Sequence, residues 1–192
     1  GRPDLSGAPP DSQARRVIVE RLRPQVDGGR FPAKRTVGDE VTVLADVFAD
    51  GHDEVRAVLL VKHATETDWT EVPMTFQGND RWEAVFIPEQ RGMYEYTVQG
   101  WVDHLLTWQK GLKKKFEAGQ DVGVELLIGA NWIEEAAPRA PKAEAKQLRD
   151  WAEQLRAEKD QAAGVAFALG NQVSQLVEAY PDKRFASLYH RT

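Results

Sequence analysis

Residues 93–116 read MYEYTVQGWVDHLLTWQKGLKKKF, and the chain changes its period inside them. Residues 93–102 are the longest of several segments that read as β-strands. Beyond them Leu105, Trp108, Leu112 and Phe116 fall at i, i+3, i+7 and i+11, one face of a helix. Asp103 stands at the junction, where its carboxylate can accept from the free N–H groups of a first helical turn. Lys110, Lys113, Lys114 and Lys115 mostly lie off the apolar face, and those nearest the helix end suit its dipole. The fold is therefore expected in two parts, strands before Asp103 and helices after it.

Upstream, the period is two. Residues 16–22 set Val17, Val19 and Arg21 against Ile18, Glu20 and Leu22. Arg23-Pro24 ends that strand, because proline cannot donate to a ladder. Residues 26–30 (VDGGR) and 37–40 (VGDE) read as turns. Residues 41–48 (VTVLADVF) are a strand closed by 49–52 (ADGH), and 55–63 are another, centred on VLLV at 58–61. A weaker strand spans 69–74, interrupted by Pro73. Gln77-Gly78-Asn79-Asp80 is a strong turn, residues 81–87 alternate imperfectly, and 88–92 turn again. Short strands joined by Gly, Asn, Asp and Pro, with no helical crossover between them, predict an antiparallel sandwich rather than a parallel sheet.

Downstream, apolar residues recur with the helical period. Gly119 suits the stop of the first helix and Asp121 the cap of a second, whose stripe is Val122, Leu126, Ala130 and Ile133. Residues 138–141 break the chain, and a third helix is expected over 142–163 with Leu148, Trp151 and Leu155 on one face. Gly164 and Gly170 weaken the helical pattern after it. A short fourth helix carries Val173, Leu176, Val177 and Tyr180, with Pro181 behind it. Four amphipathic helices on short links predict a small antiparallel bundle. Residues 185–189 suggest a final strand returning to the sheet. Residues 1–13 have no hydrophobic period and read as a disordered lead or a vector-derived remnant, without the apolar region of a signal peptide.

The chain has 192 residues, no cysteine and a net charge of −5. A complete (β/α)8 barrel takes roughly 250 residues and does not fit. Cysteine nucleophiles, thiolate metal sites and disulfides are excluded, and a cytoplasmic location is expected. An acidic chain gives no electrostatic reason to bind nucleic acid or an anionic membrane, and no run is long and apolar enough to span one. Neither is expected as a partner. The histidines His52, His63, His104 and His190 form no pair at a ligand spacing. His63 with Glu66 and Asp68 is a conceivable metal cluster that reads better as a solvated loop. Gly28-Gly29 lacks the helix and lysine of a phosphate cradle, and no serine sits in a nucleophile elbow. Glu134-Glu135 and the run Lys113-Lys114-Lys115 read as solvated helix faces. No metal, cofactor or catalytic residue is expected in this chain.

Six tryptophans are many for this length. Trp69, Trp82 and Trp101 lie on predicted strands or strand edges. A tryptophan there packs into a core or interface. Exposed, it stacks its flat ring against the apolar C–H face of a pyranose. These three are the candidate sugar contacts.

The stretch 26–53, VDGGRFPAKRTVGDEVTVLADVFADGHD, resembles the start of the bacterial α-1,4-glucan:maltose-1-phosphate maltosyltransferases, a glycoside hydrolase family 13 group of the α-amylase superfamily. Met74 with GNDRW at 78–82, YEYTVQGWVD at 94–103, Thr107-Trp108 and AGQDV at 118–122 continue the same ordered pattern. The resemblance is good over 17–129 and faint beyond 136. It implies an α+β fold: an immunoglobulin-like antiparallel β-sandwich over 14–103, which 184–192 can complete, and a small inserted helical bundle over 104–181. It implies an enzyme that transfers maltosyl from α-maltose 1-phosphate to α-1,4-glucan in glycogen synthesis. Such an enzyme retains configuration through an Asp nucleophile and a Glu acid/base. Those residues belong to a downstream barrel, and none is matched here. The implied partners are that catalytic barrel, a second copy in a homodimer, and an α-glucan. Gln109, where the pattern has a basic residue, and Gly100, where it has Ala, depart from it and bear on local packing. Two roles follow for the chain itself. One is non-catalytic assembly and dimerisation. The other is an α-glucan-binding module that uses Trp69, Trp82 and Trp101. A stand-alone enzyme lacks its constellation.

Overall fold

The computed structural model describes residues 16–24, 30–33 and 37–189. The chain divides into two compact units. One combines the residues up to Val102 with those from Lys183 onward, and the other is Asp103–Asp182.

In the first unit the strands are, in chain order, β1 (Val17–Arg23), β2 (Arg30–Ala33), β3 (Val41–Ala49), β4 (Val55–His63), β5 (Thr70–Pro73), β6 (Thr75–Gly78), β7 (Arg81–Phe86), β8 (Gly92–Val102) and β9 (Ser187–Leu188). They form two antiparallel sheets, ordered β1-β3-β7-β6 and β2-β8-β4-β5, with β9 also pairing β8. Alternation turns one side chain in two towards the facing sheet. Val17, Val43 and Val47 thereby meet Leu59, Tyr96 and Val98 in one buried core, a β-sandwich.

Four details differ from the sequence reading. Leu22 is buried with Val17 and Val19, although strict alternation sets it on their opposite side. The register slips between Glu20 and Arg23, where Arg21 takes φ 53°. Such a bulge opposes two residues to one and resets which side chains face inward. The weak strand expected over 69–74 is β5 followed by β6 in the other sheet, with buried Met74 at the switch. Pro73 is tolerated because β5 is an edge strand. The turn expected over 77–80 narrows to Asn79 and Asp80, whose φ values of 50° and 64° suit a type I′ hairpin. The sequence pattern does not predict β2, and residues 26–29 of the adjacent expected turn lie outside the described residues.

In the second unit the helices are α1 (His104–Glu117), α2 (Gly123–Glu135), α3 (Lys142–Ala157), α4 (Gln161–Ala168) and α5 (Asn171–Ala179), with a 3₁₀ turn at Ala137–Arg139. Asp103 Oδ1 accepts from the Leu106 N–H at 3.0 Å, as its place before α1 predicts. Asp121 Oδ1 accepts from the Gly123 N–H at 2.9 Å and from Gln161 Nε2 at 2.7 Å. The Gly123 amide, then Gln161, hold that carboxyl below its ordinary value.

Leu105, Trp108, Leu112, Leu126, Ile133 and Leu148 share one core. Each fully buried leucine or isoleucine contributes about 1.5–3 kcal/mol. Phe116, expected on the buried face of α1, is exposed in its last turn, and Gln109 is buried instead. The helix expected over 142–163 is interrupted at 158–160. There the Asp160 carboxylate accepts from the Ala162 N–H at 3.0 Å and starts α4. A new N-cap inside an expected helix divides it, giving five helices among the described residues where four were expected. None is long and apolar enough to cross a membrane.

Candidate functional site

The three candidate sugar contacts part company. Trp82 points inward from β7, is 9% exposed and packs its ring 5.4 Å from that of Phe76. Its indole N–H is buried and has no hydrogen-bond partner among the described residues. Trp101 is 7% exposed, and Lys183 Nζ lies 4.6 Å from its ring centroid while pairing with Glu71 at 2.9 Å. Burial leaves neither ring a bare face for a pyranose. Trp69 is 40% exposed, with Lys62 Nζ 4.8 Å from its ring centroid. Of the three, it alone retains an accessible ring.

His63 ends β4 and is buried. Its Nε2 lies 2.8 Å from the Arg91 carbonyl oxygen, which can only accept, so Nε2 carries the hydrogen. Nδ1 accepts from the Thr65 N–H at 3.2 Å and meets Thr65 Oγ1 at 2.7 Å. The ring stands edge-on to Tyr94 at 5.0 Å, and Glu66 Oε1 accepts from the His63 N–H at 2.8 Å. Both ring nitrogens are used within the fold. His63 and Glu66 therefore brace a turn, and among the described residues no group of three or more His, Cys, Asp or Glu is placed to hold a metal ion. His63→Leu keeps most of the volume but strands the Thr65 amide and the Arg91 carbonyl. It is expected to lower the unfolding free energy by about 1–3 kcal/mol in urea denaturation. An unchanged midpoint and slope would contradict the brace.

Beside this turn a cleft of about 460 Å³ opens between β4–β5 and β7, with Val61, Thr70, Val72 and Phe86 on its walls and Glu66 and Glu89 at its polar positions. The neighbouring core holds Tyr96, whose hydroxyl is pushed up to about 12 by burial and then by Tyr189. It stays protonated at neutral pH and is no general base.

The charged pairs of the second unit are engaged at its surface. Glu134 pairs with Arg156, which also holds Glu153 at 2.5 Å and Asn131 at 2.9 Å. Lys115 pairs with Glu125 at 2.7 Å, and Lys113 and Lys114 are exposed. Gly28-Gly29 lies outside the described residues.

One surface escaped the sequence reading. Helix α2 buries Leu126, Ala130 and Ile133, yet Val124, Leu127 and Ile128 on it are 70%, 50% and 40% exposed. At i, i+3 and i+4 they share a face. The signal was an apolar surplus, since residues 122–133 carry more apolar side chains than one buried stripe can use.

Comparison with known proteins fits this picture. Residues 15–192 match the family described as alpha-1,4-glucan:maltose-1-phosphate maltosyltransferase, domain N/S. The protein of that name from Chlorobaculum tepidum is 48% identical over 177 residues, covering 92% of this chain and 26% of its own length. Its counterpart from Myxococcus xanthus is 41% identical over 183 residues, 91% of this chain and 27% of its own. That from Methylacidiphilum infernorum is 40% identical over 147 residues, 76% of this chain and 21% of its own. The chain thus spans about a quarter of the length of these relatives. It belongs to the alpha-1,4-glucan:maltose-1-phosphate maltosyltransferase family, as domain N/S.

Proposed function

We propose that this chain is the non-catalytic N-terminal region of a cytoplasmic maltosyltransferase that moves maltosyl from α-maltose 1-phosphate onto α-1,4-glucan. Its role is to assemble the enzyme and its homodimer, with the catalytic barrel downstream in the same chain. In this reading residues 14–103, completed by 184–192, are one domain and 104–181 a second inserted into it.

The observation that carries the assembly role is the exposed face of α2. Val124, Leu127 and Ile128 are large, apolar and adjacent, where a solvated helix carries charge. A second copy is the occupant in this reading, because homodimerisation is what the resemblance implies. Charging the face tests it. In the full-length enzyme, Leu127→Asp combined with Ile128→Lys is expected to raise the dimer dissociation constant at least about a hundredfold. This corresponds to about 2.7 kcal/mol lost from a desolvated contact. Sedimentation velocity reads the constant, and circular dichroism checks that the helices remain. A variant that stays dimeric to the same dilution as the parent would sink the assignment. A second reading, an α-glucan contact on the sandwich, is favoured by the exposed ring of Trp69.

A further inference from the structure

We infer that the outer face of the β2-β8-β4-β5 sheet carries an α-glucan subsite built on one row of side chains, Trp69, Lys62, Glu95 and Arg30. The inference rests on the second reading above and gives it a place.

Register puts the row together. Lys62 on β4 is opposite Glu95 on β8, and Arg30 on β2 is opposite the same Glu95. Lys62 Nζ lies 4.0 Å from Glu95 Oε2, and Arg30 Nε lies 3.8 Å from Glu95 Oε1. On the other side Lys62 Nζ reaches the ring of Trp69, just before β5. Their neighbours Val61 and Tyr94 belong to the core, so alternation directs Lys62 and Glu95 outward. Strands lie roughly 4.8 Å apart, so the row runs about 14 Å across the sheet, which suits an oligosaccharide better than a single sugar.

The chemistry of the row selects a neutral polyol. A glucan hydroxyl both donates and accepts, and the row offers ammonium and guanidinium donors around one carboxylate acceptor. Both cations already face Glu95, so a single positive charge is left unbalanced and no cluster of free cations is presented to an anion. The row is not explained by fold stability, because exposed ion pairs contribute little. Trp69 supplies what charged groups lack, a flat apolar surface for the C–H face of the sugar. Trp82 and Trp101 are buried and stand outside the subsite.

Titration of the 192-residue chain with maltoheptaose, followed by two-dimensional NMR, tests this. The Trp69 indole signal and the backbone amides of Lys62 and Glu95 are expected to shift together. Trp69→Ala should weaken binding about tenfold, and Trp69→Phe should restore most of the loss. Glu95→Gln should weaken it about threefold to fivefold. The melting temperature is read for each variant. Maltoheptaose binding with unchanged affinity in Trp69→Ala and Glu95→Gln would overturn the subsite and leave a glucan contact elsewhere. No binding at millimolar maltoheptaose would overturn both. Binding of α-maltose 1-phosphate that inorganic phosphate displaces and maltose does not would mark an anion site, and would equally overturn the proposal.

Discussion

Gly129→Ala is expected to destabilise the helical unit by about 3 kcal/mol, at the upper end of what overpacking costs. A Cβ on Gly129 falls among Cζ2, Cη2 and Cε2 of Trp108, inside the ring. The ring has nowhere convenient to go. It is buried, and its indole N–H donates to the Glu125 carbonyl at 2.9 Å, one turn before Gly129 on the same helix. Moving the ring breaks that bond, and keeping the ring pushes α1 off α2. The sign is what makes the test sharp. In an unhindered helix interior glycine is roughly 1 kcal/mol worse than alanine. At Gly111 in α1 an added methyl group would meet nothing within 4 Å, so Gly111→Ala should stabilise by about 0.5–1 kcal/mol. Urea denaturation followed by far-ultraviolet circular dichroism compares the two. Trp108→Leu in the Gly129→Ala background should recover part of the loss, as residues in contact couple. If Gly129→Ala stabilises the chain as Gly111→Ala does, Trp108 does not pack across α2 as described.

The switch of period at Asp103 was legible because it depends on local rules alone. Asp103 can reach the Leu106 amide without help from the rest of the chain, and it does. Features that depend on a partner were not legible. Leu22 is turned inward by a bulge at Arg21, and alternation carries no mark of an inserted residue. β5 and β6 read as one weak strand because Met74, the buried switch, is as apolar as a strand residue. Asp160 was a capping residue in plain view, masked by the helix formers on either side of it. The candidate sites divide by the same logic. Strand position singled out three tryptophans, but exposure is decided by what lies across from each ring. Phe76 lies beside Trp82, and Lys183 lies over Trp101. The row through Glu95 needs strand register, which no single segment contains.

Gln109 and Gly100, the two positions read from the sequence as departing from the resembled pattern, each meet a neighbour that suits them. Gln109 is buried, and its Nε2 donates to the Ala168 carbonyl and to Ser174 Oγ, both at 2.9 Å. A neutral amide satisfies both acceptors without burying a charge, which would be far costlier.

Gly100 is answered by bulk across the sandwich, and Gly100→Ala should cost about 2 kcal/mol. Its missing Cβ would lie 2.7 Å from Val47 Cγ1 and 2.9 Å from Val17 Cγ1. Both valines are fully buried on the facing sheet. A valine is stiff at χ1 and cannot swing both methyl groups aside, so the strain falls on the separation of the sheets. The loss should therefore be conditional. In a Val47→Ala background the nearest methyl is gone but Val17 Cγ1 still stands 2.9 Å from the added Cβ, so adding Gly100→Ala should cost about 1 kcal/mol rather than about 2. A double-mutant cycle by chemical denaturation measures the coupling. Strictly additive losses would show that the sheets accommodate the extra methyl by moving apart, and that Val47 does not set the limit.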